Sequence, residues 1–305
     1  MAAITSANAA QAIVKLVAAQ GLPAVMGAMV MGTRINRDYE PSLANAGDTV
    51  NIPIPPVMTT YNVAEGGSVT PQNPSLGNAQ VVLNQHAEAT FQIPDVTAAL
   101  VGAERGDFSL MSKYLNPAMI ALAERMETDL LNLYTNLTAN TAVGTGGSSL
   151  TESAVALAEK ALFDAKVPQN ERLTLAVSSQ AYSDLRQIER FTEERMIVGA
   201  GQAISTGRLG LQVKNFDVFR SQFVAKPSST TYNLGFAKDA FALVIRRLPQ
   251  PLPGTGAIAE YAELGNFGMR IVMSYAPNTL AQQFTVDMLY GIAVLRHIFG
   301  VQVLS

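Results

Sequence analysis

Residues 48–55 read Asp-Thr-Val-Asn-Ile-Pro-Ile-Pro, an alternating pattern typical of a β-strand. Its two prolines carry no backbone N–H, so this strand must lie at a sheet edge or be exposed. More sequence rich in β-branched residues follows at 79–83 and 87–93. Between the strands, Glu65-Gly66-Gly67 and Pro71-Gln-Asn-Pro74 have turn chemistry. The pattern predicts a long two-stranded ribbon with a loose tip.

The ribbon lies in a region without positive charge, because residues 38–104 contain no Lys and no Arg. A two-stranded ribbon is marginally stable by itself. Its weakly charged faces therefore need protein to pack against, and that protein can be another chain or the ribbon's own domain. The residues alone leave both alternatives open.

A continuous apolar stripe follows the ribbon. Its residues recur every three or four positions and predict a helix: they are Met111, Leu115, Met119, Leu122, Met126, Leu130, Leu133 and Leu137. Asn116-Pro117 fits an N-cap followed by proline at the first helical position, which predicts a helix over 117–138 of about 33 Å. Residues 108–115 would then form a separate turn or a kinked start. We interpret this element as a core helix with one solvated face; a coiled-coil partner is the alternative.

The second half of the chain alternates helices and strands after a Gly/Ser/Thr-rich linker at 140–149. A helix at 152–165 opens with Thr151 as its cap, a strand covers 173–177, and Ser178 or Ser179 caps a helix that ends at Arg190. This order is α/β in character. Residues 191–210 read as a loop. The remaining strands are predicted at 211–218, 232–236, 240–245, 258–264, 268–275, 284–289 and 292–295.

Composition limits the class of protein. Hydrophobic residues make up 48% of the 305 residues and charged residues only 15%, well below the usual quarter. Such a deficit indicates either a membrane or extensive burial against other chains. The uncharged run between Lys15 and Arg34 is interrupted by three glycines and a proline, so we expect no membrane span. The apolar segment 1–36 reads as a mostly helical arm, lying either in its own core or on a neighbouring subunit.

Catalytic motifs are missing from the sequence. There is no cysteine, and the only two histidines are His86 and His297. His86 and Glu88 share one strand face, but nothing nearby completes a metal site, so a hydrogen-bonded structural histidine is the better interpretation. The Gly-x-Ser-x-Gly elbow and the glycine-rich phosphate loops are absent. A net charge of −3 argues against a protein built to neutralise phosphates. We therefore predict no enzyme and no cofactor.

The order of these segments resembles the major capsid proteins of tailed bacteriophages with the Hong Kong 97 (HK97-like) fold. Residues 48–55 with Glu65-Gly66-Gly67 are similar to the extended loop of that family, and Tyr114–Leu137 to its spine helix. The glycine-rich run 197–221 resembles the axial domain of the subgroup typified by the Salmonella phage coat protein. Residues 235–241 and 289–296 resemble its later strands.

The resemblance implies an α+β fold of five parts. These are an N-terminal arm (1–47), an extended β-hairpin loop (48–95), a peripheral domain with the spine helix (96–148), an α/β axial domain (149–250) and return strands of the peripheral domain (251–305). It also implies which residues meet other subunits. The extended-loop contacts are Ile52, Ile54, Tyr61, Val63, Glu65, Val69, Leu76, Val81 and Leu83; the N-arm latch is Ile13, Leu16, Val17, Leu22 and Met26.

The function implied is a structural shell protein that forms pentamers and hexamers of an icosahedral virion around double-stranded DNA, without reading its sequence. A separate scaffolding protein, a portal and assembly in the host cytoplasm are expected. The extended loop lacks the lysine that some relatives use for covalent cross-links, so we expect non-covalent interlocking. An encapsulin-like nanocompartment shell is the alternative, and a soluble α/β enzyme is a weaker one.

Overall fold

The computed structural model describes residues 29–39, 49–56, 58–97, 109–168, 171–188, 212–252, 255–264 and 267–305. The strands before the spine helix are β1 (Thr49–Ile54), β2 (Gly77–Val82) and β3 (Gln85–Pro94). Next come α1 (Ser109–Leu131), β4 (Val143–Gly144), α2 (Glu152–Asp164), β5 (Leu173–Val177) and α3 (Ser179–Gln187). The last strands are β6 (Gln212–Val213), β7 (Phe216–Arg220), β8 (Tyr232–Ala237), β9 (Phe241–Arg246), β10 (Ile258–Leu264), β11 (Phe267–Ala276), β12 (Ala281–Val294) and β13 (Gly300–Leu304).

These strands build two large sheets and one ribbon. Strands β10-β11-β12-β3 are neighbours in a five-stranded sheet, in which β9 also pairs with β12. A six-stranded sheet has the order β4-β13-β8-β5-β7-β6. The ribbon is the antiparallel pair β1 and β2, with Thr49 opposite Val82 and Ile54 opposite Gly77. No helix among the described residues is long and apolar enough to cross a membrane.

Helix α1 packs its apolar stripe against the five-stranded sheet. Leu115, Met119, Met126 and Leu130 are at most 1% exposed, in one core with Phe284 and other residues of β12. Burying a side chain of this size stabilises the fold by about 1.5–3 kcal/mol. These four residues of the predicted stripe therefore lie on the packing face of α1.

The predicted start of this helix was wrong. Helix α1 begins at Ser109 and continues through Pro117, and the side-chain oxygen of Asn116 lies buried without a hydrogen-bond partner instead of capping. Proline removes one helical hydrogen bond, but the turn before it carries Leu115 into the core. Packing outweighs that loss. After Leu131 the helix tightens into a 3-10 turn, Asn132–Asn136.

The structure confirms the predicted caps in the second half of the chain and adds one hairpin. The Thr151 hydroxyl accepts a hydrogen bond from the Ala154 N–H at 3.3 Å, and the Ser178 hydroxyl accepts one from Ala181 at 3.1 Å. The single strand predicted at 211–218 is instead the antiparallel pair β6 and β7. Lys214 and Asn215 form the tight turn between them with positive φ angles of 48° and 63°. The predicted loop 191–210 lies outside the described residues.

Three later strands depart from the predicted ranges. The segments 284–289 and 292–295 belong to one continuous strand, β12, which includes Gly291. Strand β9 falls in the predicted axial range but joins the five-stranded sheet, while β13 falls in the predicted return strands but joins the six-stranded sheet. The chain therefore crosses between the sheets more often than the predicted ranges allow. Strands β4 and β13 were not predicted.

Candidate subunit-contact surface

The base of the extended loop is anchored to its own chain. Ile52, Val81 and Leu83 are at most 4% exposed and pack with Val244 and Leu289, among other residues of β9 and β12. The ribbon base thus covers part of the five-stranded sheet. Of the two alternatives left open by the sequence, folding back onto the same domain is correct for this base.

The ribbon meets β12 at a glycine. A Cβ atom added at Gly291 would lie 2.4 Å from the carbonyl oxygen of Val82, far closer than atoms normally approach. Only a residue without a side chain lets β2 cross β12 at this distance. A side chain at position 291 would therefore push the ribbon base away from β12.

Beyond the base, the chain leaves the protein body. Each residue from 58 to 76, which we call the loop tip, is exposed apart from the half-buried Gln72. The loop tip is held together locally. The Thr59 N–H donates to Gln72 Oε1 at 3.0 Å, and Gly67 N–H donates to the Ala64 carbonyl at 2.9 Å in a turn. Gly66 adopts a φ of +76°, which favours glycine.

Large apolar side chains are spread along the loop tip. Those at least half exposed are Met58, Tyr61, Val63, Val69 and Leu76, with exposures from 50% to 76%. Glu65 is the single charged residue of the tip. Exposed apolar surface on this scale is typical of a protein-contact site. Because the loop tip is nearly uncharged, removing its hydrating water costs little free energy.

The structure divides the nine predicted contact residues of the extended loop. Tyr61, Val63, Glu65, Val69 and Leu76 all lie on the exposed loop tip. Ile54 is half-buried against the ribbon base. Ile52, Val81 and Leu83 are buried within their own chain and offer no side-chain surface to another subunit. Ile52 of β1, Val81 of β2 and Leu83 just after β2 all pack on the sheet, so the prediction was too broad for them.

All five residues predicted for the N-arm latch lie outside the described residues. They are Ile13, Leu16, Val17, Leu22 and Met26. The described chain begins at Met29, which is buried at 3% exposure.

A second apolar surface, at the tip of the five-stranded sheet, was missed by the sequence reasoning. Val96, Tyr275 and Leu280 are 73%, 45% and 62% exposed. The Tyr275 hydroxyl donates to Asp95 at 2.7 Å, and Leu280 closes the β11–β12 hairpin with a positive φ of 47°. The signal available was Pro277-Asn278 between two alternating runs, which marks a hairpin tip.

Polar groups near α1 serve the fold. The buried Tyr290 hydroxyl donates to Asp129 at 2.6 Å, and Asp129 also pairs with Arg125 at 3.1 Å. Burial, followed by the bond to Asp129, raises the pKa of Tyr290 well above its ordinary value. Tyrosine therefore stays a neutral donor here. Tyr290 and Arg125 border a cleft of about 330 Å³ between α1 and β3.

The histidine on β3 is hydrogen-bonded, as the sequence interpretation favoured. His86 Nε2 lies 3.2 Å from the buried Asp287 carboxylate, which also accepts from Arg270 Nε at 3.0 Å. Glu88 accepts instead from Thr90 at 2.9 Å. Within the described part of the chain, no three His, Cys, Asp or Glu side chains are grouped so that they could hold a metal ion.

One comparison with known proteins shows the family, and the solved structures show the fold. A family model described as phage capsid protein matches residues 96–303. A structure from Mycobacterium phage Che8 covers 90% of each chain at 17% identity with a TM-score of 0.63. The capsid structure of cyanophage P-SCSP1u covers 90% of this chain and 87% of the other at 16% identity, TM-score 0.60.

A virus-like particle from Pyrococcus furiosus shares the fold more distantly, at 11% identity and a TM-score of 0.53 over 96% of this chain and 98% of the other. No curated protein sequence matches the chain.

Proposed function

The chain belongs to the phage capsid protein family and has the HK97-like fold of tailed-phage major capsid proteins, and from this premise we propose that it assembles into pentamers and hexamers of an icosahedral shell. The shell encloses double-stranded phage DNA and is interlocked without covalent bonds. Virion location is consistent with the family, and assembly in the host cytoplasm is part of the proposal.

The exposed loop tip is the observation that supports this function. It carries five apolar side chains at 50% to 76% exposure on a segment with one charge, and its base is fastened to the body by a separate buried cluster. An exposed apolar tip on an anchored base is suited to contact a second copy of the chain. A head-to-tail contact of this kind forms a closed ring of identical subunits when the repeated rotation returns to the first subunit.

The electrostatics of the chain fit a DNA container. With 21 basic and 24 acidic residues, the subunit has no excess of positive charge to bind the nucleic acid that it encloses. Binding that relies on phosphate contacts needs such an excess. We propose that DNA is retained by enclosure and not by sequence-specific contacts.

Sedimentation and electron microscopy of the purified protein test the proposal. When the chain is produced with its phage, we expect closed particles of hundreds of subunits. These particles should be filled with DNA and bear a portal. Produced alone, it should give few correctly sized shells, because we propose that a separate scaffolding protein directs curvature. A chain that stays monomeric when it is produced with its phage would contradict the shell function, and abundant regular shells from the chain alone would contradict the scaffold.

A nanocompartment shell is the second candidate. A likeness to solved structures at 11% to 17% identity shows the fold and not what a particle contains, so the fold alone does not separate the two. Particles with protein cargo, without DNA and without a portal would favour that alternative.

A further inference from the structure

A buried carboxylate holds the segment 29–36, which we call the strap, on the middle of helix α1. Glu127 is 0% exposed. Its two oxygens accept hydrogen bonds from the Met31 N–H at 2.9 and 3.0 Å, and one accepts from Gly32 at 3.4 Å. Successive backbone N–H groups that converge on one anion form a nest. Here the accepting group is a side chain of the protein itself.

The strap also touches both sheets. The Arg34 guanidinium lies 3.3 Å above the Phe219 ring of β7, in the six-stranded sheet. Asn36 donates from its side chain to Asp239 at 2.7 Å, and its carbonyl accepts from Leu243 of β9, in the five-stranded sheet, at 3.0 Å. Residues 29–36 therefore tie the spine helix to both sheets.

A fully buried carboxylate costs free energy unless donors surround it. Burial raises the pKa of Glu127, while the backbone donors of the strap and the Arg34 charge act in the opposite direction. The charged groups that face the carboxylate are Arg34 of the strap and, beyond it, Asp217 of β7, which attracts Arg34. Burying an apolar residue at position 127 would cost less free energy than burying an acid. The presence of Glu127 therefore indicates a specific task.

We propose that Glu127 is a positioning residue that fastens the strap to α1 and thereby fixes where residues 1–28 join the body. Residues 31 and 32 lie outside the helices and strands, so their amides depend on this side chain for an acceptor. Loss of the acceptor oxygens of residue 127 frees the strap while the two sheets stay folded. The contact is intramolecular; only its consequence for the N-terminal arm rests on the proposed shell function.

The direction of pH dependence follows from linkage. A carboxyl whose pKa is raised on burial binds its proton more tightly in the fastened state than in the released state. The fastened state is therefore favoured at low pH, and this contribution is lost as pH rises through the raised pKa. At pH values above the raised pKa, Glu127 is ionised, so the fastened state contains a buried charge.

Hydrogen exchange of the purified chain, corrected for intrinsic rates and followed from pH 5 to 8, tests the proposal. In Glu127→Ala we expect Met31 and Gly32 to exchange about ten-fold faster or more, as the loss of a buried acceptor implies. The exchange rates of peptides from β5 and β8 should change by less than about two-fold. Glu127→Gln keeps an acceptor oxygen but cannot ionise, so protection should persist and its pH dependence should disappear. Glu124→Gln, a half-buried acid on the same helix, is the matched control.

Three results would overturn the proposal: unchanged exchange in Glu127→Ala, equal loss of protection across both sheets, or a pH profile that Glu127→Gln retains. If Glu127→Ala does not fold, the isosteric Glu127→Gln carries the test. Shell assembly is scored separately on the same variants. A freed strap with normal shells would overturn the role in placing the arm and leave the proposed function intact. Failure of the wild type to form shells when it is produced with its phage would overturn that function and leave the exchange result standing.

Discussion

Single residues decide how the parts of this subunit meet. Asn233 is fully buried and makes three hydrogen bonds: its side-chain nitrogen donates to the Val303 carbonyl and the Ser305 hydroxyl, each at 3.0 Å, and its oxygen accepts from Ser178 N–H at 2.9 Å. One amide thus joins β8, β13 and the cap of α3. Such a fully satisfied polar group specifies a unique arrangement.

Gly291→Ala tests the contact between ribbon and sheet. The new methyl group would lie 2.4 Å from the Val82 carbonyl oxygen, so the ribbon base must shift. We expect a loss of about 1–3 kcal/mol in the free energy of unfolding, measured by urea titration of the unassembled subunit.

Gly32→Ala is the matched control for this substitution. Its methyl group would meet Phe267 at 3.5 Å, an ordinary contact distance, so a change well under 1 kcal/mol is expected. Equal losses at positions 291 and 32 would show that the close approach at Gly291 does not matter.

At the scale of elements, the extended loop separates into two parts with different tasks. Its base, β1 and β2, is stabilised by burial on β9 and β12. Its tip is exposed from residue 58 to 76 apart from Gln72, with few contacts to hold it. Stability and assembly should therefore respond to different substitutions in the same loop.

Val69→Asp combined with Leu76→Asp tests the loop tip. Both residues are largely exposed, at 76% and 68%, so the free energy of unfolding should change by about 0.5 kcal/mol or less. Assembly into shells should fail, because an interface that buries these positions would bury unpaired charge. Sedimentation measures assembly and a thermal melt measures folding.

Leu252→Asp provides the comparison, since Leu252 is also 76% exposed but lies outside the extended loop. It should assemble as the wild type does. Normal shells from the doubly charged loop variant would show that the loop tip is not a subunit contact.

The whole molecule is poor in charge. With 15% charged residues, the subunit lacks the ionic surface that keeps an isolated globular protein dispersed, which fits a protein covered by copies of itself. The few charges that are buried, such as Asp287 and Glu127, have partners inside the fold.

Denaturing electrophoresis of mature particles tests how the shell is held together. Residues 38–104 contain no lysine, so the extended loop has no amine that could form an isopeptide bond. We expect a single band at the 32.4 kDa subunit mass. A ladder of covalent multimers would contradict non-covalent interlocking.

The sequence by itself determined the features that depend on local periodicity: the apolar stripe of α1, the caps Thr151 and Ser178, most strand positions and the uncharged ribbon. These follow from residues a few positions apart, whose geometry is set by the helix or strand they belong to. The resemblance to capsid proteins rested on the order of such local patterns, and the family match confirms it.

Only the tertiary structure decided which elements meet. The burial of Ile52, Val81 and Leu83, the exchange of β9 and β13 between the two sheets, and the nest around Glu127 each join residues far apart in the chain. No local pattern encodes such contacts, because they arise from the sum of packing over the whole core. Packing also carried α1 through Pro117, where local propensity predicted a boundary.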